Sequence, residues 1–153
     1  MTARTSFLPL LLLFLLAAGC AKPSGDFLFV SAPEAGAAGG AYEFRLQLED
    51  STRSYATCLA ARLVTSLIPE GQFGLDIRTT SPSGETTIER LMLPLEEKEG
   101  ARIILGSGSV ADFQWNWHPL QPAGPETGTL KVSITPTDPS VAEAIYGIGL
   151  SYE

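Results

Sequence analysis

The chain has 153 residues, 44% of them hydrophobic and 18% charged, with 10 basic and 17 acidic side chains and a formal net charge of −7. This length allows one domain with a substantial core and is too short for two. The acidic balance excludes the clustered lysine and arginine on which nucleic-acid binding depends, so we expect no nucleic-acid partner.

The N-terminus begins with a single basic residue, Arg4, and continues as an uncharged apolar run from Phe7 to Gly19. The run is about a dozen residues long, whereas a membrane-spanning helix needs roughly 20. A basic start, a short apolar run and small residues at its end are typical of a secretory signal. Residues 1–19 are therefore predicted to be a signal peptide and the chain is predicted to be exported.

The residues from Leu16 to Cys20, LAAGC, resemble the lipobox of bacterial lipoproteins, although Ala17 stands where that pattern usually has leucine. The resemblance implies cleavage between Gly19 and Cys20 and acylation of the Cys20 thiol and of the new amino group. Each buried methylene adds about 0.8 kcal/mol, so several acyl chains would anchor the protein permanently to a membrane. The alternative is that Cys20 is an ordinary residue after an ordinary cleavage site.

The short segment after the cysteine, residues 20–25, is predicted to be a polar tether to a domain at 26–153. Its residues Ala21, Lys22 and Pro23 do not resemble the acidic signal that sends Bacteroidetes lipoproteins to the outer face. A periplasm-facing outer-membrane lipoprotein is therefore expected. With Cys20 acylated, Cys58 has no cysteine left to pair with, and we expect it to be a small buried thiol.

From Asp26 onward, short alternating segments separated by turn residues predict an all-β fold. We expect one antiparallel β-sandwich of about 8–9 strands with a short helix near the C-terminus. The clearest strand is AYEFRLQLED, in which every second residue from Tyr42 to Leu48 is apolar. The other predicted strands are DFLFV, QFGLDIRTT, TTIERLMLPL, GARIILGSGS, DFQWNWH, GTLKVSITP and GIGLSYE.

Three segments are not simple strands. SAPEAGAAGG is predicted to be a flexible loop. DPSVAEAIYG is predicted to be the short helix, capped by Asp138, with Pro139 at its first position and Gly147 at or just beyond its end. The apolar residues between 55 and 67 fit the period of a strand and that of a helix about equally well, so the residues leave both open.

Trp115 and Trp117 form a possible ligand platform, because they lie with Phe113 on one side of DFQWNWH and could stack against sugar rings. The other side of this strand is entirely polar: Asp112, Gln114, Asn116 and His118. Exposing the aromatic side would bury that polar side, at a cost of several kcal/mol for unpaired groups. We therefore expect the aromatic residues in the core.

No catalytic residue, cofactor or metal site is predicted. His118 is the only histidine, and no cysteine or aspartate pattern at ligand spacing accompanies it. The acidic run from Glu96 to Gly100 lacks the spacing of a calcium loop and is expected to be a solvated turn. There is no G-x-S-x-G nucleophile motif. A pair of distant carboxylates for glycoside hydrolysis stays open.

A series of short motifs runs through the second part of the chain: EFRLQLED, YATCLAAR, the SPSGE turn, Leu93–Pro94, Gly106 and Gly108 before Asp112, Gly128 and the ending IYGIGLSYE. In this order, over about residues 41–153, they resemble the gliding-motility lipoprotein H family of the Bacteroidetes. The chain departs from the family in having Ile103 and Ile104 near the glycines where the family has a tryptophan, and in lacking the family's methionine near the last helix.

The resemblance implies a β-sandwich lipoprotein that serves an envelope assembly, with no catalytic residues, and it favours a strand over residues 55–67. We therefore expect a non-enzymatic, lipid-anchored protein that docks to other envelope proteins. The main alternative is a carbohydrate- or ligand-binding lipoprotein, for which exposed aromatic residues or a concave polar face would be diagnostic. An envelope hydrolase would need titratable groups that converge in a cleft.

Replacing Cys20 tests the lipid anchor. The wild-type mature protein should partition into the detergent phase of a detergent phase separation, and Cys20→Ala should move it to the aqueous phase, because the acyl chains are then absent. Cys58→Ala serves as the control and should leave the partition unchanged. If the wild-type protein and the Cys20→Ala variant were both recovered from the aqueous phase, this result would contradict acylation.

Overall fold

The structure is a computed structural model and describes residues 26–37, 40–50, 52, 54–68, 71–120 and 127–153. The predicted cleavage and lipidation residues, Gly19 and Cys20, lie outside the described residues. Among the described helices, none has the length and apolar composition needed to span a membrane.

The part of the chain that the structure describes forms nine strands, so the predicted strand number is confirmed. They are β1 (Asp26–Ser31), β2 (Tyr42–Leu48), β3 (Thr57–Val64), β4 (Gln72–Thr80), β5 (Thr86–Pro94), β6 (Ala101–Ser107), β7 (Val110–Asn116), β8 (Gly128–Pro136) and β9 (Ile145–Tyr152). A helix, α1 (Ala32–Ala37), follows β1, and two 3₁₀ helices span Thr65–Leu67 and Pro139–Ala144.

The strands form two antiparallel sheets. The five-stranded sheet has the order β1-β9-β3-β7-β6, and the four-stranded sheet has the order β2-β8-β4-β5. Their inner faces share one cluster of buried apolar side chains, which is the architecture of a β-sandwich. The predicted all-β class is confirmed.

Alternation along the strands explains this core. In β2 the burial pattern is strictly alternating, with Tyr42, Phe44, Leu46 and Leu48 inside and the charged and amide residues between them outside. In the central strands β4 and β8, alternating residues are likewise apolar and buried: Phe73, Leu75, Ile77, Leu130, Val132 and Ile134. Each such side chain contributes roughly 1.5–3 kcal/mol when it leaves water.

The aromatic side chains of Phe113 and Trp115 in β7, and of Trp117 directly after β7, point into the core, as predicted. Phe113, Trp115 and Trp117 retain only 3%, 2% and 8% of their exposure. The Trp115 ring stacks on Phe113 with centroids 5.6 Å apart and packs against Phe73 of the opposite sheet at 5.7 Å. Its Nε1 donates a hydrogen bond of 2.8 Å to the carbonyl oxygen of Pro94, so the buried indole has its polar partner.

The loop predicted for SAPEAGAAGG is wrong over residues 32–37, which form α1. The backbone N–H and the hydroxyl of Ser31 donate to Oε2 of Glu34, at 2.8 and 2.7 Å. These bonds hold the pKa of Glu34 below its ordinary value. A serine followed three residues later by glutamate is the capping-box signature, and in SAPE this signal outweighs the glycine and alanine residues that favour a loop.

The segment 55–67 is a strand over most of its length, since β3 covers Thr57–Val64 and the last three residues are 3₁₀. The C-terminal 3₁₀ helix begins as predicted, because Asp138 Oδ1 accepts the Ser140 N–H at 2.8 Å and Pro139 follows the cap. Gly147 is not its stop. The helix ends at Ala144, and Gly147 lies inside β9.

Gly147 has a steric role in β9. A Cβ atom there would collide with the Phe29 ring and lie 2.8 Å from the carbonyl oxygen of Val30, both on the neighbouring β1. Gly147→Ala should therefore lower the free energy of unfolding by about 1–3 kcal/mol, the usual cost of overpacking. Gly106→Ala is the control, because its Cβ would be an ordinary 3.8 Å from Ala111. Equal urea midpoints for the two variants would contradict this role.

Candidate functional site

The outer face of the five-stranded sheet carries a shallow trough with small residues along its centre. Across the strands, Phe29 is paired with Gly149, Gly149 with Ala60, and Ala60 with Gln114. The glycine and the alanine project little above the backbone, so the larger side chains on either side form walls. We call this trough the phenyl groove; it has a volume of about 390 Å³ and is lined by Phe27, Phe29, Ala60, Ala61, Arg62, Ile104, Asp112, Phe113 and Gln114.

One wall consists of the two phenyl rings of β1. They stack on each other with centroids 6.4 Å apart and an angle of 27° between their planes. Each ring reaches over a glycine of β9: a Cβ at Gly149 would lie 2.6 Å from Cζ of Phe27, and one at Gly147 would collide with Phe29. Even so, Phe27 remains 60% exposed and Phe29 46% exposed. Two adjacent exposed aromatic rings on the outer face of a sheet form an apolar patch, which is unusual on the surface of so acidic a chain.

The opposite wall is polar but internally satisfied. Arg62 Nε and Nη2 donate to the two carboxylate oxygens of Asp112, at 2.7 and 2.8 Å. Arg102 donates to Oε1 of Gln114 from Nε and Nη2, at 3.2 and 3.0 Å. The exposed side chain of Ile104 adds an apolar group at this side. The groove therefore offers apolar surface beside a rigid, already hydrogen-bonded polar border.

The hydrogen bonds between Arg62 and Asp112 hold the pKa of the Asp112 carboxyl below its ordinary 3.8, against the opposing effect of partial desolvation. The same contact raises the pKa of the Arg62 guanidinium. Both groups therefore stay charged at neutral pH. Two of the residues that carry the family resemblance are thus partners across β3 and β7.

Cys58 lies on the same outer face and not in the core. It is a free, half-buried thiol whose Sγ is 3.6 Å from Oδ1 of Asn116. The expectation of a buried thiol is wrong, because strand register gives the inward positions to its neighbours Thr57 and Leu59.

A second concave region lies at one end of the sandwich, beside the turn between β4 and β5. We call it the mouth pocket; it has a volume of about 450 Å³ and is lined by Leu48, Thr79, Ser81, Pro82, Glu85, Thr87, Glu89, His118, Pro119, Leu120 and Leu130. Five of these eleven residues belong to strands of the four-stranded sheet, three belong to the turn between β4 and β5, and 118–120 follow β7 of the five-stranded sheet.

Glu89 is the polar centre of this pocket. Its Oε1 accepts a short hydrogen bond from Nε1 of Trp117 and lies 3.0 Å from Nε2 of His118. The Trp117 and His118 rings contact each other with centroids 4.6 Å apart. A carboxylate that points between the sheets would be costly alone, and these two partners compensate it.

The possible ligand platform of Trp115 and Trp117 does not form a surface, because both side chains are buried as expected. Trp117 takes part in the mouth pocket only through its N–H bond to Glu89. Among the residues that the structure describes, no three His, Cys, Asp or Glu side chains lie together as metal ligands would. The Glu96–Gly100 run is the exposed turn between β5 and β6.

Sequence reasoning missed the two concave sites for different reasons. Glu89 and His118 are 29 positions apart and meet only through sheet packing. A signal did exist, because Glu89 shares the inward face of TTIERLMLPL with Leu91 and Leu93, which is an anomalous place for a charge. The phenyl groove needs the register of β1 on β9, which the sequence does not reveal.

The chain matches no family model, no curated protein and no solved structure. The resemblance to the gliding-motility lipoprotein H family therefore stays a prediction, and the function has to be argued from the two concave sites.

The Arg62–Asp112 pair should make stability depend on pH. Because the folded pKa of Asp112 is depressed, its contribution is complete above the unfolded value of 3.8 and is lost as the pH falls through the folded pKa. Asp112→Asn should therefore lower the urea midpoint at neutral pH, and the difference from wild type should shrink below pH 3.8.

The control is the same substitution in an Arg62→Gln background. There the pH-dependent difference should disappear, because the guanidinium that depresses the pKa has been removed. A difference between wild type and Asp112→Asn that is independent of pH would contradict the assignment.

Proposed function

We propose that this chain is a non-catalytic lipoprotein of the bacterial outer membrane, anchored through Cys20, whose β-sandwich docks to another envelope protein through the phenyl groove. The single observation that carries the docking proposal is the pair of exposed, glycine-backed rings Phe27 and Phe29 beside an apolar floor. The expectation that the domain faces the periplasm belongs to the same proposal.

The energetics favour contact with an apolar partner surface. Covering the exposed parts of the two rings would remove roughly 200 Å² of apolar surface from water, worth about 5 kcal/mol before the costs of association. The rings are already held against each other and against β9, so little side-chain freedom remains to be lost on binding. Rigid aromatic anchors of this kind are typical hot spots of protein interfaces.

The position of the groove fits a partner at the membrane. Seven residue steps separate Cys20 from Phe27, so the backbone between them spans at most about 25 Å. With Cys20 acylated, the backbone of Phe27 would lie within about that distance of the anchor. A partner that is itself embedded in or attached to the membrane would be within reach.

A second candidate, glycan binding at the same groove, is favoured by the exposure of the aromatic rings, because sugar rings stack on such surfaces. It is less well supported by the polar border. Arg62 donates to Asp112, and Arg102 donates to Gln114. Fewer of their groups are therefore left for sugar hydroxyls. We therefore favour a protein partner.

Site-specific photo-crosslinking in intact cells tests the proposal. The photoreactive residue p-benzoyl-phenylalanine would replace Ile104 at the groove, and as a matched control Ile88, an exposed isoleucine on the four-stranded sheet. We expect a protein adduct at position 104 and none at 88. The adduct at 104 should be lost with Phe27→Ala combined with Phe29→Ala, and kept with Met92→Ala, which removes an exposed side chain elsewhere.

The outcomes separate the alternatives. An adduct whose added mass is carbohydrate would favour glycan binding. Equal adducts at both positions, or an adduct at 104 that survives removal of both phenyl rings, would overturn docking through the phenyl groove. The detergent partition of each variant should match wild type, so that a lost adduct cannot be ascribed to a lost anchor.

A further inference from the structure

The mouth pocket shares no lining residue with the phenyl groove, and five of its eleven lining residues are apolar. Leu48, Leu120 and Leu130 lie at its base and are buried, while Pro82 and Pro119 are exposed around it. Its volume of about 450 Å³ falls within the range of roughly 300–1,000 Å³ found for small-ligand sites. The pocket is therefore large enough for an aliphatic group and offers apolar side chains for it to contact.

The charged groups of the pocket are acidic. Glu85 and Glu89 lie on the same side of β5 and the turn before it, and no lysine or arginine lines the pocket among the described residues. These two carboxylates would repel an anionic ligand and attract a cation.

Glu89 also has a free acceptor. Both of its hydrogen-bond partners, Trp117 Nε1 and His118 Nε2, use Oε1, and Oε2 has no hydrogen-bond partner within the described part of the chain. Because Oε1 is held from two directions, the carboxylate is fixed in orientation. A fixed, partly buried carboxylate oxygen beside apolar walls is suited to a charge-assisted hydrogen bond.

We propose that the mouth pocket binds an organic cation, namely a primary ammonium group on an unbranched aliphatic stem. The ammonium donates to Oε2 of Glu89, and the stem packs on Leu120 and Leu130. Glu85 at the rim adds to the negative potential. This chemistry occurs in free aliphatic amines and in the lysine side chain of a polypeptide.

The indole N–H signals of the two tryptophans provide a direct test by NMR on the mature protein purified in a non-ionic detergent. Titration with butylammonium should shift the Trp117 signal saturably, because its N–H is bonded to the carboxylate that binds the ligand. The Trp115 signal is the internal reference, since that N–H is buried against Pro94 and should not move. Butanol and butyrate, of equal length but neutral and anionic, should cause no saturable shift.

Substitution of the carboxylate provides the second test. Glu89→Gln keeps an oxygen for the Trp117 N–H but removes the charge, and it should weaken butylammonium binding about tenfold or more. Glu143→Gln, an exposed position on the C-terminal 3₁₀ helix, is the matched control and should bind like wild type. If Glu89→Gln does not fold, Glu85→Gln should still weaken binding by a smaller factor.

Spermidine and Nα-acetyl-lysine methylamide distinguish the two sources of the ligand, since the tighter binder identifies a free amine or a lysine side chain. Saturation by either supports the proposal. It is overturned if butanol shifts Trp117 as butylammonium does, if Glu89→Gln binds butylammonium with wild-type affinity, or if no cation shifts the Trp117 signal. None of these results bears on docking at the phenyl groove, where the readout is a crosslink.

Discussion

Two indole N–H groups from one side of the sandwich hold the edge strand of the other. Trp115, in β7, donates to the Pro94 carbonyl, and Trp117, just after β7, donates to the Glu89 carboxylate; both acceptors belong to β5. Of the strands that the structure describes, β4 is the only one that pairs with β5. The Trp115 ring also packs on Phe73 of the opposite sheet. The distance between the sheets and the position of β5 therefore depend on the same side chain. Because β5 borders the mouth pocket, the geometry of that pocket depends on it as well.

The sequence allowed the fold to be predicted wherever one face of a strand is apolar and the other polar. β2 and β8 follow this rule throughout. In β7, the polar residues on the outer face were sufficient to assign Trp115 and Trp117 to the core. Prediction was poorer where burial has no period. Residues 57–64 have leucine only at positions 59 and 63. This spacing suits a helix as well as a strand, and only pairing with β7 and β9 selects the strand.

The candidate sites could be predicted less well than the fold, because each depends on residues that the topology brings together. The position of Glu89 was visible as a charge on an inward face, but its partner His118 was not. Gly147 was interpreted as a helix stop from local sequence, whereas its role is set by a ring on another strand. Glycine has the same appearance in a sequence whether it ends a helix or makes room for a neighbour, and only the strand register distinguishes the two.

The location of β1 has a mechanical consequence. Among the described residues, this edge strand is the first element and has β9 as its only strand neighbour, with pairs from Asp26–Tyr152 to Ser31–Gly147. Tension between a membrane anchor at Cys20 and a load on the rest of the domain would enter the fold through β1. A force parallel to β1 would load all six residue pairs with β9 at once, in shear. A force perpendicular to β1 would instead break the pairs one after another, beginning at Asp26. Because Phe27 and Phe29 belong to this strand, a tension that detached it would also dismantle the phenyl groove, so that force on the anchor could release whatever the groove holds.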